Sequence, residues 1–426
     1  MTNRAQLGGA QTPSPVTRRA LIAAARRWGT PVYVTDAAAI AAAAESITRA
    51  FPDPWLRQYS VKANDVPGII SLVARAGFGA NVVSQGEWAA ARDAGVANLD
   101  ITLEGIGKRD AELSAAVDAA AVGDPIRWLA LESIDETKAL IRIARNRLPS
   151  RKGAVDVLLR LNPQVAPETT AGLAVGNDQA KFGMTGPELR ESLSLLAAAS
   201  GPLQPRGLHL HIGSQLRGLT AWTVGLSSAL RLFAELSPRV DRFDTLDVGG
   251  GFPASSADGS LPSADDFYRA LHATLQATEP AARPSRLAIE PGRALVAKAG
   301  WLVGTVLHAR DRGTPQVVID AGMTDLIRPA LYGAFHRVHA LTALGRMRRD
   351  DQGRAVLSRV EGPICEATDT LGQHVLPPLA RDDLVAIEDA GAYAASISSP
   401  YNGRPRPPQV VLTMDGELEL IRPRSS

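Results

Sequence analysis

A chain of 426 residues is long for one domain and short for three, so two domains are expected. Its 45% hydrophobic and 21% charged residues suit a globular protein with a sizeable core, and 46 Lys and Arg against 44 Asp and Glu leave no basic field for nucleic acid or an anionic membrane. One cysteine excludes an intrachain disulfide, no uncharged apolar run approaches the ~20 residues of a membrane span, and the opening MTNRAQLGGAQTPSP has no apolar signal core, so a cytoplasmic location is expected.

Residues 1–16, rich in Gly, Pro, Thr and Ser, are expected to be disordered. Residues 17–36 carry a helical pattern from Arg18 to Trp28 and then the strand GTPVYVTD, which precedes the main rhythm and is expected to join a later β domain. Asp36 is the expected N-cap of the helix AAAIAAAAESITRAF. From 37 to 299 eight aliphatic runs follow one another: QYSVKAN (58–64), GANVVS (79–84), DITLEG (100–105), RWLALES (127–133), DVLLRLNP (156–163), GLHLHIG (207–213), TLDVGG (245–250) and RLAIEPG (286–292). Helical patterns separate them, the alternation of a (β/α)8 TIM barrel. An open doubly wound sheet is the alternative, but it requires a Gly-rich dinucleotide loop after its first strand, and none is there. The insertion at 164–206, with TTAGLAVGNDQAKFGM, is expected to fold over the barrel mouth. From 300 to 426 the runs WLVGTVLHAR, PQVVIDAG, AVLSRVEG, DLVAIED, QVVLTM and ELELIR read as strands, with helix only near LIRPALYGAFH. That predicts a mainly β, sandwich- or barrel-like C-terminal domain.

In such a barrel the chemistry sits at the C-terminal ends of the strands. Those ends carry Lys62 and Asn64; Asn81, Ser84 and Glu87; Arg160; His209, His211 and Ser214; Asp247 and Gly249, Gly250 and Gly251; and Glu290, Gly292 and Arg293. Three glycines after the seventh strand suit either a tight turn or a backbone cradle for phosphate, and their place in the barrel favours phosphate, with Ser214 and Arg293 at the same end. Lys62 suits either a salt bridge to Glu290 or Asp247, or a partly desolvated amine that attacks a carbonyl to form a Schiff base. Only six of the 46 basic residues are lysines, which weighs against decoration. A lysine, a phosphate cradle, a carboxylate and an imidazole together supply the contacts that pyridoxal 5'-phosphate needs. His209 is expected to fill the barrel, two residues before His211 on the same strand face. Spacing alone leaves Cys365 open between a buried structural thiol and a catalytic one. Asp320 and Asp325 belong to no cluster with metal spacing, and no metal is expected.

YSVKAN, HLHIGSQ, LDVGGGF, IEPGR, DAGMTDLIRPALYGAFH, GPICE, EDAGAY and YNGRPRP, in this order from about Trp28 to Val411, resemble the fold-type III pyridoxal-phosphate decarboxylases, nearest to the branch acting on diaminopimelate. The resemblance implies that Lys62 is the Schiff-base lysine, that His211 stacks on the cofactor ring, and that Glu290 pairs with the ring nitrogen. It implies that Ser214, Gly249, Gly250, Gly251, Gly292 and Arg293 form the phosphate side, with Tyr393 touching the phosphate. Arg293, Arg328, Tyr332, Glu366 and Tyr393 would contact substrate. Cys365, the proton donor, and Glu366 would cross a homodimer interface into the partner's site.

The implied activity is decarboxylation of meso-diaminopimelate to L-lysine and CO2, a step of lysine biosynthesis. An arginine at the ring nitrogen marks the alanine racemases of the same barrel, so Glu290 argues against a racemase. Arg328 and Glu366 together suit a substrate with a distal carboxylate and a distal ammonium. Four departures, GGGFP, Asn81, GIGK (105–108) and CEATD, leave the cofactor residues intact but bear on substrate choice. They keep open another basic amino acid of the lysine or ornithine type, or a D-amino acid. A non-catalytic paralogue is the alternative from another class, marked by loss of Lys62, Glu290 or the glycine run, all of which are present.

Overall fold

Aliphatic runs too short for helices and too continuous for a half-exposed sheet need cover on both faces, which parallel strands with helical crossovers provide. The computed structural model describes residues 13–148, 154–199, 201–254, 260–341 and 355–425. It divides into two compact units, Ile40–Val296 and the combination of Met1–Ala39 with Ala297–Ser426. Most of the segment expected to be disordered, residues 1–12, lies outside the described residues.

In chain order the elements before and within the barrel are α1 (Pro15–Trp28), β1 (Val32–Asp36), α2 (Ala37–Ala50), β2 (Leu56–Ser60), α3 (Pro67–Arg75), β3 (Gly79–Val82), α4 (Gln85–Asp93), β4 (Ile101–Leu103), α5 (Asp110–Ala121), β5 (Trp128–Leu131), α6 (Ile134–Arg147), β6 (Val155–Leu161), α7 (Gly186–Ala199), β7 (Leu203–Leu210), α8 (Thr220–Leu236), β8 (Thr245–Asp247), α9 (Ala264–Gln276), β9 (Arg286–Ile289) and α10 (Arg293–Val296). Strands β2 to β9 pair in sequence, all parallel, and β9 returns to β2, closing an eight-stranded barrel. Each crossover helix turns an apolar stripe inward: α6 buries Thr137, Leu140, Ile141 and Ala144, at helical spacing. Serines set several helix starts, with Ser84, Ser133 and Ser263 accepting from the amides of Glu87, Glu136 and Asp266. Trp128, Leu158 and Ala288, with Leu56 against them, make an apolar cluster from four strands of the barrel. The strands stop earlier than the runs suggest. Lys62 lies not on a strand but in a 3-10 turn, Val61–Ala63, directly after β2.

The second unit is built on β1, β10 (Gly300–Asp311), β11 (Pro315–Ile319), β12 (Val338–Leu341), β13 (Val356–Glu361), β14 (Thr370–Leu376), β15 (Leu384–Ile387), β16 (Gln409–Leu412) and β17 (Leu418–Arg422), with α11 (Arg328–Tyr332) between β11 and β12. The main strand path runs β14-β13-β11-β10-β1-β16-β17, with β15 on β10 and β12 on β15. The early strand β1 is therefore interior to this sheet, antiparallel to β10 and parallel to β16. Strand β10 pairs with β15 over Leu302–Thr305 and with β11 over Val306–Asp311, the latter with a register shift between Val306 and His308. Tyr33, Leu302, Ile319, Val385 and Ile387 belong to one buried cluster of this unit, and Leu21, Val32, Val303 and Val410 to another. Helix α1 starts three residues before the predicted Arg18, because Ser14 caps it and Pro15 takes its first turn. Two strands, β12 and β14, have no counterpart in the predicted set. Among the described residues, no helix is long and apolar enough to cross a membrane.

Candidate active site

Polar residues gather at the C-terminal ends of β2 to β9. Lys62 is half-buried, in a turn closed by Asn64 N–H donating to Val61 O at 2.9 Å and by the Tyr59 hydroxyl donating to Asn64 O at 3.0 Å. On β3, Asn81 Nδ2 donates to Glu290 Oε1 at 2.5 Å. Beyond it, Glu87 accepts from Val83 N–H at 2.9 Å, and burial pushes its carboxyl up to about 7 against the opposing pull of that hydrogen bond and of the Lys62 charge.

The next three ends form a charge network. Glu104 follows β4, and Glu132, following β5, forms a buried ion pair with Arg160 of β6. Gly183 N–H also donates to Glu132, at 2.9 Å. Burial favours the neutral acid at Glu132, but Arg160 and Lys108 outweigh it and hold the carboxyl below its ordinary range. Lys108, in the GIGK loop, has a fully buried side chain paired with Glu136 at 3.0 Å. Arg160 also lies 5.0 Å from the centre of the Phe182 ring. The insertion after β6 contains the crossover helix α7, and its first part packs on the segment after β7. Ala174 bridges to Gly213, Val175 N–H donates to Ile212 O at 2.9 Å, and Thr169 Oγ1 donates to Ser214 O at 2.6 Å.

His209, on β7, is completely buried. Its Nε2 stands 3.4 Å from Glu104 Oε2 and 3.5 Å from Glu290 Oε1, distances that make ion pairs only if the ring is charged. Burial lowers it to about 4, so these contacts are between a neutral imidazole and acids. His211 is also pushed well below its ordinary value, by burial first and by Lys62 and Arg160 next. Gly250 N–H donates to its Nδ1 at 3.1 Å, which places the proton of the neutral ring on Nε2. Gly249 N–H donates to Asp247 Oδ1 at 2.8 Å. Two of the three glycine amides thus have acceptors within the chain, and what the run requires most clearly is the absence of side chains. Gly249 has φ +70°, and a Cβ there would stand 2.2 Å from Leu210 O; one on Gly250 would stand 2.6 Å from Glu290 O. Following β9, Glu290 and Arg293 are buried, and Arg293 Nη2 donates to Ser214 Oγ at 3.1 Å. Gly292 lies so close to Ser60 that a Cβ would come within 2.9 Å of the Ser60 Cβ.

Three acids, Glu104, Asp247 and Glu290, share this interior. At an effective dielectric near 20, two carboxylates ~4 Å apart repel by about 4 kcal/mol, so a dry barrel holds such a set only partly ionised. Burial and then the charge of Glu290 push Glu104 up to about 8, and the same two causes push Asp247 well above the ordinary range. Glu104 and Glu132 escaped the sequence reading, although both sit at strand ends in runs it recognised. The positional rule that selected Asn81 and Glu290 selects them equally.

The remaining predicted residues belong to the second unit. Arg328 opens α11 and its Nε donates to His336 Nε2 at 3.2 Å, while Tyr332 closes that helix. Tyr393 is half-buried with φ +54°, a conformation that side chains other than glycine rarely adopt. Cys365 is exposed, which removes the buried structural thiol from consideration. Glu366 accepts from the Tyr401 hydroxyl at 2.6 Å. The loop holding both is knotted around Asp369, whose carboxylate accepts from Met323 N–H at 2.6 Å and Ile364 N–H at 2.7 Å. Gly322 and Gly362 give it room, since a Cβ on either would lie within 2.6 Å of an Asp369 oxygen. Asp369→Ala strips two backbone donors of their acceptor and is expected to cost about 2–4 kcal/mol, read as a lower melting temperature.

Residues 37–297 match the family model for the pyridoxal-dependent decarboxylase, pyridoxal binding domain. The chain belongs to the pyridoxal-dependent decarboxylases. It is 32% identical over 407 residues to a diaminopimelate decarboxylase of Aquifex aeolicus, covering 94% of this chain and 91% of that one. A Deinococcus radiodurans protein of the same name is 34% identical over 413 residues, 96% and 97% of the two chains. The structure of diaminopimelate decarboxylase from Helicobacter pylori complexed with L-lysine is similar with a TM-score of 0.84 and 31% identity, over 94% of this chain and 95% of that one.

The barrel residues of this decarboxylase fit pyridoxal phosphate. One end offers a half-buried amine at Lys62, and a buried carboxylate, Glu290, is steadied by Asn81. At the same end the Arg293–Ser214 pair offers a cation and a hydroxyl to a phosphate, and the glycine run brings main chain close to His211 and Glu290 with no side chain between.

Proposed function

We propose that this decarboxylase removes CO2 from meso-diaminopimelate and releases L-lysine. The likeness over more than nine-tenths of its length to proteins named diaminopimelate decarboxylase carries the choice of substrate, and the buried Glu290 carboxylate carries the choice of chemistry. Pyridoxal phosphate, when bound, supplies an aldehyde that condenses with amines and a ring that draws electrons from the substrate's α-carbon.

In this reading Lys62 Nζ would be the amine that holds the aldehyde. Glu290 holds a proton at the ring nitrogen, the arrangement that favours loss of carboxylate over simple racemisation. His211, neutral and oriented by Gly250, packs on the ring face without adding charge. Ser214, Arg293, Gly292 and the glycine run hold the phosphate, with Tyr393. Arg293, Arg328, Tyr332, Tyr393 and Glu366 bind the substrate, the cations taking its distal carboxylate and Glu366 its distal ammonium. Cys365, exposed on its Asp369-tied loop, protonates the α-carbon after CO2 leaves. We further propose a cytoplasmic homodimer in which Cys365 and Glu366 are donated to the partner's site.

A CO2-release screen over meso-diaminopimelate, L- and D-lysine, L- and D-ornithine and arginine tests the substrate. Lysine is expected from meso-diaminopimelate, with no release from the others. Turnover of ornithine alone overturns the substrate while sparing the class.

A further inference from the structure

Glu104 has no part in the function above, yet its carboxyl lies among the residues that surround Glu290. One polar atom each from Glu104, His209 and Glu290 lies within 4.8 Å of the others, and all three residues are buried. Glu104 Oε1 and both ring nitrogens of His209 have no hydrogen-bond partner among the described residues. Two ionised carboxylates cannot bond to each other, since each only accepts. A proton on one of them gives it a donor to offer the other.

The surrounding charges leave little else to neutralise a second anion. Arg160 is paired with Glu132 and Lys108 with Glu136. Asp247 adds a third acid, Glu87 lies beyond β3, and the Lys62 charge acts on Glu87, His209 and His211.

We infer that Glu104 is a positioning residue for Glu290: it keeps its proton, donates it as a hydrogen bond to the Glu290 carboxylate, and together with Asn81 fixes that group. Glu290 is then the one charged acid of the cluster, presented to the cofactor's ring nitrogen. The inference rests on the role proposed for Glu290. Burial and the neighbouring charge of Glu290 act in the required direction, holding the Glu104 proton up to about pH 8.

Glu104→Gln and Glu104→Ala separate a proton donor from an anion. Affinity of the cofactor-free protein for pyridoxal phosphate, titrated by absorbance, is one readout. Glu104→Gln, which still donates, is expected to stay within about threefold of wild type, and Glu104→Ala to weaken about tenfold or more, the effect of losing a hydrogen bond to a charged group. The second readout is melting of the cofactor-free protein against pH. The folded chain keeps a proton that the unfolded chain releases near its ordinary value of 4.5. That contribution to stability is fully present below the unfolded value and is lost as pH rises towards about 8. Glu104→Gln lacks this decline, so its melting temperature is expected to gain on wild type across that window and then run parallel.

A Glu104→Gln protein as impaired as Glu104→Ala, or one that keeps the wild-type pH slope, overturns the inference. Wild-type affinity in Glu104→Ala overturns it too. If Glu104→Ala does not fold, the pH comparison with the near-isosteric Glu104→Gln decides. Failure of the wild type to bind pyridoxal phosphate overturns both this inference and the decarboxylase function, whereas turnover with an inert Glu104 overturns the inference alone.

Discussion

Lys62→Ala is expected to abolish decarboxylation, lowering turnover by about three orders of magnitude or more, while the protein still folds and still takes up some pyridoxal phosphate. The split follows from where the residue sits. Lys62 occupies a three-residue turn after β2 that the Tyr59 hydroxyl and backbone bonds close, so truncating its side chain leaves the barrel closed. In the proposed site, phosphate and ring nitrogen would have their partners elsewhere, at the Arg293–Ser214 pair and at Glu290. What is lost is the covalent hold on the aldehyde and the orientation it gives the substrate. Turnover, bound cofactor by mass and far-ultraviolet circular dichroism together check this. A variant that keeps a tenth of wild-type turnover refutes the role.

Gly249→Ala is expected to damage fold and cofactor site together. A Cβ at 249 would stand 2.2 Å from Leu210 O and 3.0 Å from His211 Nδ1, at a backbone φ of +70°. Neither obstacle is a flexible chain end. The first is the backbone of β7, and the second is the ring that Gly250 orients. A left-handed conformation costs an alanine about 1–2 kcal/mol, and overpacking about 1–3 more. The sum is a melting temperature lower by roughly 10 °C, with weakened cofactor binding as the end of β7 yields. Gly77→Ala is the control. Its φ is +88° but a Cβ there would meet nothing within 4 Å, so only the conformational penalty of about 1–2 kcal/mol remains and cofactor affinity is unchanged. Equal losses in the two variants contradict the steric explanation.

The barrel was legible because its signal is periodic: eight aliphatic runs, each with a helical pattern after it, admit few architectures. Where the strands end was less so. VKAN continues the hydrophobic run after β2, but Asn64 N–H turns back to Val61 O, a local 3-10 turn that the composition of the segment does not announce. In the second unit β14 escaped because Gly372, at φ +91°, interrupts it and Gln373 and His374 make it look like loop. Strand β12 escaped because its four residues, Val338–Leu341, follow a helical segment closely and gain their strand character by pairing with β15. The site divides in the same way. Position on the barrel selects Lys62, His211 and Glu290 one strand at a time, whereas the Glu104–His209–Glu290 grouping depends on three strands meeting inside the barrel. Sequence order does not show how far apart those side chains are. His209 was read as filler, and it is indeed fully buried, but between two acids rather than among aliphatic groups.

Borohydride reduction of the pyridoxal-phosphate-loaded protein, followed by peptide mapping by mass spectrometry, tests most directly whether the barrel's chemistry starts at one amine. Reduction fixes a phosphopyridoxyl group to whichever of the six lysines held the aldehyde. The expected result is a single modified peptide carrying the group on Lys62. Modification of Lys108 or another lysine in place of Lys62, or no modification of a protein that nonetheless turns over, contradicts it.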